Sequence, residues 1–96
     1  MKIDFETHRL LTEKETIYLT NIQNEILKLF YNSEDKVLKY EILVKEIYGI
    51  ECDSDLKKLI RKQVSLLNKK VNKYIKIRNI KDVGYIIEEE SVWVLI

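Results

Sequence analysis

The chain has 96 residues, 46% hydrophobic and 34% charged, with 17 basic against 16 acidic side chains and a formal net charge of +1. That length holds one core rather than two, and that composition belongs to a folded chain rather than a disordered one. No apolar run reaches membrane-spanning length, the charged N-terminus lacks a signal-peptide core, and a lone cysteine, Cys52, excludes an internal disulfide.

The expectation is a single cytoplasmic domain over residues 1–96, with Cys52 a reduced and inert surface thiol. Proline is absent, which leaves glycine, asparagine and aspartate to make the turns. Over residues 1–20, Ile3 and Phe5, Leu10 and Leu11, and Ile17 and Leu19 alternate with polar residues. This predicts two or three short strands, with turns near Glu6-Thr7-His8 and Thr12-Glu13-Lys14-Glu15.

Three helices are predicted over residues 21–71. Thr20 is placed to cap the first, in which Ile22, Ile26, Leu29 and Phe30 recur at helical spacing, with Asn24 and Lys28 assigned to the opposite side. Val37-Leu38 reads as a short apolar link. Tyr40, Leu43, Val44, Ile47 and Tyr48 form a second amphipathic stripe, and Gly49 just beyond it suits a left-handed helix end. Asp53 or Ser54 can cap a third helix running to about Val71. Leu56, Ile60, Val64, Leu67 and Val71 line one side of it, and Lys58, Arg61, Lys62, Ser65 and Lys69 the other. Residues 74–87 then read as a β-hairpin with a tight turn near Lys81-Asp82, and residues 88–96 as an additional strand or tail.

Charge is segregated along this order. Between Leu56 and Lys81 stand Lys57, Lys58, Arg61, Lys62, Lys69, Lys70, Lys73, Lys76, Arg78 and Lys81, without one acid, whereas the acids occupy the first fifty-five residues, Asp82 and the later Glu88-Glu89-Glu90. Such a block can be a solvated helix face. Interleaved with Tyr, Ser, Asn and Gln on two successive elements, it points instead to a phosphate-binding surface. An α-helix fits the major groove of B-form DNA, and a hairpin beside it reaches neighbouring phosphates or the minor groove. This is the winged helix-turn-helix arrangement: an α+β fold with N-terminal antiparallel strands, three helices and a C-terminal hairpin wing.

At these residues the sequence resembles the DNA-binding effector domains of OmpR/PhoB-type response regulators. "LTNIQNEILKLFYNSEDKVLKYEILVKEIYG" (19–49) is similar to their Leu-Thr opening, first helix, apolar link and second helix. "LIRKQVSLLNKKV" resembles their recognition helix, and "IRNIKDVGYII" (77–87) their wing with its Val-Gly-Tyr signature, here Val83-Gly84-Tyr85. The resemblance covers about residues 3–87. It implies that the third helix reads the major groove while the wing touches backbone or minor groove. The chain departs from the family pattern at Leu66 and Asn68, where arginines are usual, and at Lys81-Asp82, where the wing usually has Arg-Gly. Met1 stands almost at the first strand, so no receiver domain and no phosphorylation switch are expected.

The candidate phosphate contacts are Lys57, Lys69, Lys73 and Lys76, and the candidate base-edge contacts Lys58, Arg61, Lys62, Gln63 and Ser65. Arg78, Asn79 and Lys81 belong to the wing. Gly84 is expected where backbone approaches closely or a strand bulges, Tyr85 as a half-buried packing residue, and His8 in a surface turn. Leu59 and Leu66 lie beside the core stripe. Either the sheet or the tail covers them, or they form a second apolar ridge for dimerisation together with Trp93 of "VWVLI". That last segment is expected to extend the wing sheet or to pair with another protomer.

No zinc spacing, phosphate loop, nucleophile elbow or paired-carboxylate signature occurs, so neither catalysis nor a cofactor, metal or small-molecule substrate is expected. The reading is non-catalytic, site-specific binding of double-stranded DNA by a stand-alone transcriptional regulator. Homodimers and partner proteins at the DNA site are compatible with it. Two alternatives stand beside it: an accessory DNA-binding factor at a plasmid replication or conjugative-transfer origin, of relaxosome type, and a winged-helix protein-interaction adaptor.

Overall fold

The computed structural model describes residues 1–33, 35–88 and 94–95. Its first elements are strands β1 (Lys2–Asp4), β2 (Arg9–Leu11) and β3 (Thr16–Tyr18). Each is only three residues long and places its central apolar residue inward. The antiparallel register sets Ile3 opposite Leu10 and Leu10 opposite Ile17, so one buried row crosses the sheet and meets the helices.

The turns between these strands use side chains in place of glycine or proline. Asp4 Oδ1 accepts from the backbone N–H of Glu6 (3.1 Å) and Thr7 (3.3 Å), and Thr12 Oγ1 accepts from that of Lys14 (3.3 Å) and Glu15 (3.0 Å). The expectation that glycine, asparagine and aspartate would serve every turn needs amending. The left-handed backbone positions fall on His8, Lys36 and Asp82 as well as Gly49.

Helix α1 (Asn21–Asn32) begins with a reciprocal cap: Thr20 Oγ1 accepts from Gln23 N (3.2 Å), and Gln23 Oε1 accepts from Thr20 N (2.9 Å). Asn24 does not face solvent as its spacing suggested. It is 2% exposed, and its amide nitrogen donates to the Phe5 carbonyl at 3.0 Å, tying the sheet to the helix. Helix α2 (Tyr40–Tyr48) ends at Gly49, whose φ of 74° is left-handed. Helix α3 (Ser54–Val71) is capped by Asp53, whose Oδ1 accepts from Leu56 N at 2.8 Å.

The Val37-Leu38 link is a strand, β4 (Val37–Lys39), not a simple connection. It pairs with β6 (Gly84–Glu88), which also pairs with β5 (Lys76–Ile80), so the wing is a three-stranded antiparallel sheet in the order β4-β6-β5. Gly84 shows why: a Cβ there would run into the Leu38 carbonyl oxygen and come within 2.9 Å of Lys39 Cα. Close backbone approach is what the residue permits.

The tail also pairs elsewhere than expected. Strand β7 (Val94–Leu95) runs parallel to β1 and extends the N-terminal sheet to the order β3-β2-β1-β7, with Val94 N donating to the Met1 carbonyl at 3.1 Å. It does not join the wing sheet; Trp93 lies outside the described residues. One core unites the sheets and helices, with Ile26, Leu27 and Phe30 from α1, Leu43 and Val44 from α2, and Ile60, Val64, Leu67 and Val71 from α3.

Candidate nucleic-acid interface

The buried stripe of α3, Ile60-Val64-Leu67-Val71, recurs at spacings of four, three and four residues and presses one face onto the core. Helical geometry then turns Lys58, Lys62, Ser65 and Lys69 to solvent. None of these four has a side-chain hydrogen bond or ion pair among the described residues. Asp53 and Asp55 at the N-terminal end and Lys69 and Lys70 in the last turn match the helix dipole.

The wing stands against one edge of this helix. Asn68 and Asn72 of the α3 end line an open groove with Lys76, Ile77, Arg78, Asn79 and Glu88 of the wing. The Asn68 side-chain oxygen is buried there and has no hydrogen-bond partner among the described residues. At the wing tip, Val83 N donates to the Ile80 carbonyl (3.0 Å) across Lys81 and the left-handed Asp82 (φ 61°), and this turn leaves Lys81 in solvent.

Between helix and wing lies a cluster built on Tyr40. Its side chain is 1% exposed, and its hydroxyl accepts from Asn79 Nδ2 at 2.8 Å and from Arg61 Nε at 3.4 Å. The ring meets Tyr85 edge-on, with centroids 5.5 Å apart at 75°. It also carries two cations, Lys57 Nζ at 5.0 Å and the Arg61 guanidinium carbon at 5.5 Å from its centroid. Burial works to raise the Tyr40 phenol, but hydrogen bonds from Arg61, Tyr85 and Asn79 outweigh it and hold its pKa below the ordinary tyrosine value. Tyr85 moves the opposite way: burial first, then its hydrogen bond to Tyr40, push its pKa well above that of a free phenol. It is 7% exposed, hence buried rather than half-buried. The Arg61 pKa is raised, chiefly by the hydrogen bond to Tyr40 and with a contribution from the charge of Asp82 at the wing tip.

The remaining predicted residues fall apart into groups. Arg78 is held by an ion pair with Glu88 on the neighbouring strand, 2.6 Å from Nε to Oε1. The Asn79 amide nitrogen is spent on Tyr40 and on the Gly84 carbonyl (3.0 Å), so it fastens the wing rather than offering a donor outward. Gln63 is half-buried on the helix flank of Leu59 and Leu66, away from the wing.

Lys73 follows the end of α3 and lines a hollow with Thr12, Glu13, Lys14, Glu15 and Tyr74, on the side of the N-terminal turn and not in the helix–wing groove. Lys70, also in the basic block, donates to the Tyr18 carbonyl (3.0 Å) and to Gln23 Oε1 (2.9 Å), clamping α3 to β3 and α1. Leu59 and Leu66 are 46% and 42% exposed, so the described sheets leave them open. Sequence reasoning had put Tyr40 in the core stripe of its helix. The signal it missed was that a buried tyrosine hydroxyl requires partners, and these came from elements far along the chain.

Among the described residues no helix is long and apolar enough to cross a membrane, and no three His, Cys, Asp or Glu side chains are grouped to hold a metal. No protein-family model matches the chain. It is 30% identical over 69 residues to the transcriptional regulatory protein KdpE of Staphylococcus aureus, a match spanning 72% of this chain but only 30% of that protein. The structure is similar to the crystal structure of the DNA-binding domain of Bacillus subtilis CssR, with a TM-score of 0.74 at 19% identity, covering 86% of this chain and 93% of that one. It is also similar to the C-terminal domain of the nisin resistance regulator NsrR, a lantibiotic response regulator, with a TM-score of 0.66 at 20% identity, covering 83% and 84%. Three helices, a sheet before them and a sheet-borne hairpin after them thus give this chain a winged helix-turn-helix fold, the fold it shares with the CssR DNA-binding domain and the NsrR C-terminal domain.

Proposed function

We propose that the chain binds double-stranded DNA at specific sites, without catalysis, as a transcriptional regulator acting in the cytoplasm. The observation that carries this reading is the row of cations on α3 without side-chain partners among the described residues, Lys58, Lys62 and Lys69, beside a wing that ends in exposed Lys81. A protein that keeps lysines unpaired on one helix face, while pairing Arg78 and tethering Lys70 elsewhere, leaves that face for an external polyanion. The relatives' roles, a transcriptional regulatory protein, a DNA-binding domain and the C-terminal domain of a response regulator, agree with it.

Lys58, Lys62, Lys69, Lys76 and Lys81 are assigned to phosphates, and Arg61 and Ser65 to base edges. Neutralising about five phosphates gives a log–log dependence of affinity on salt of about −4.5. Self-association is assigned to the uncovered Leu59–Leu66 flank, and sedimentation of a Leu59→Lys/Leu66→Lys variant with and without DNA tests it.

The test of the main reading is a mobility-shift titration at two salt concentrations on random-sequence duplex and on duplexes selected from a random pool. Charge reversal at Arg61, Lys62 or Lys81 is expected to lower affinity about tenfold or more while leaving the fold intact. Absence of binding even at low salt overturns the reading and favours the adaptor alternative.

A further inference from the structure

We propose that Tyr40 is a positioning residue for sequence recognition, holding the Arg61 guanidinium in a fixed orientation at the edge of α3 that faces the wing. This rests on the DNA-binding reading above and adds to it the residue that makes Arg61 discriminating.

Arginine is the side chain best suited to read a guanine edge, because its two terminal nitrogens can donate in parallel to O6 and N7. A free arginine on a helix surface, however, samples many rotamers and loses that freedom on binding. Here Nε, the one guanidinium nitrogen a bidentate fork does not need, is directed at the Tyr40 hydroxyl (3.4 Å), while the guanidinium lies 5.5 Å from the ring centroid. The hydroxyl and the ring thus restrain the side chain at two points and leave both terminal amino groups for a ligand.

Tyr40 is itself held from three sides. It is buried, it packs edge-on against Tyr85 from β6, and its hydroxyl also receives Asn79 Nδ2 from β5 at 2.8 Å. Asn79 in turn donates to the Gly84 carbonyl across the hairpin at 3.0 Å. The orientation of Arg61 on α3 is therefore referred to the wing strands through one side chain at the start of α2. Lys57, at 5.0 Å on the same ring, has no such directional bond and is expected to supply charge only.

The test separates charge from geometry. Tyr40→Phe keeps the ring, the packing on Tyr85 and every charge, and removes only the hydroxyl. Arg61→Lys keeps the charge and removes the fork. Both variants, and the double variant, are titrated against a duplex selected from a random pool by the unmodified protein and against random-sequence duplex, with thermal unfolding followed in parallel. Each single variant is expected to lose about tenfold in the ratio of selected-site to random-sequence affinity, the loss falling on the selected site. The double variant is expected to lose no more than Arg61→Lys alone. A Tyr40→Phe protein that is folded and retains the full ratio overturns the inference, as do losses that multiply in the double variant. Should Tyr40→Phe not fold, an Arg61→Lys protein with an undiminished ratio overturns it. If the unmodified protein binds neither duplex, the DNA-binding reading itself fails, and the two failures are thereby distinguished.

Discussion

Gly84 is the residue at which the backbone leaves least room. Its β6 position faces Lys39 of β4 in the register, and an added methyl would meet the Leu38 carbonyl oxygen, which cannot swing away without breaking the β4–β6 ladder. Gly84→Ala is therefore expected to destabilise the fold by about 2–4 kcal/mol, read by urea unfolding, far beyond an ordinary surface glycine substitution. A second residue-scale prediction concerns acid. Hydrogen bonds from Thr7, foremost its hydroxyl, and from Glu6 and Arg9 hold the Asp4 carboxyl below its ordinary value of 3.8 against a smaller burial effect. The Val37 backbone N–H, then the Ser33 hydroxyl, do the same for Asp35. Because both folded-state pKa values are depressed, the stabilisation is complete above the unfolded value and is lost as pH falls through the folded ones. Stability is expected to decline below about pH 4, with a shallower decline in Asp4→Asn, checked by unfolding midpoints across pH 2–6.

At the scale of elements, the wing is where ordinary strand pairing and ligand binding compete. Arg78 and Glu88 lie on β5 and β6 with a 2.6 Å contact, so the arginine is satisfied before any duplex arrives. Both side chains are well exposed, and the pair adds little to stability. Glu88→Gln is accordingly expected to leave unfolding unchanged but to strengthen DNA binding several-fold at low salt, steepening the salt slope by about one phosphate. Arg78→Gln should weaken binding clearly in the Glu88→Gln background and hardly at all alone. Equal effects in both backgrounds would mean that Glu88 does not restrain the arginine. Val37–Lys39 belongs to the same lesson: three residues are too short to show a period, and only the long-range partner at Gly84, Tyr85 and Ile86 makes them a strand.

Across the whole molecule, the tertiary structure divides one basic block into lysines with different work. Lys58, Lys62 and Lys69 share the solvent face of α3, Lys70 is bound to Tyr18 and Gln23, and Lys73 sits beside the Thr12–Glu15 turn. Lys70→Gln and Lys73→Gln are expected to change DNA affinity less than about threefold, and Lys58→Gln, Lys62→Gln and Lys69→Gln to weaken it about three- to tenfold each, with the slope reduced by about 0.9. Salt-titrated mobility shifts read both. A uniform loss across all five would mean that net charge alone, and not the geometry of α3, governs binding.

Periodicity determined the N-terminal strands, the three helices with their Thr20 and Asp53 caps and Gly49 stop, and the hairpin, because these follow from residues within a few positions of one another. The same local rules gave the basic face of α3 opposite its buried stripe. What the tertiary structure alone decided were contacts between distant segments: β4 in the wing, β7 beside β1, the burial of Asn24, and the Tyr40 cluster that joins α2, α3 and the wing. Pattern in a sequence records which side of an element is apolar, whereas the partner of a buried hydroxyl or an open strand edge is set only when the chain closes on itself.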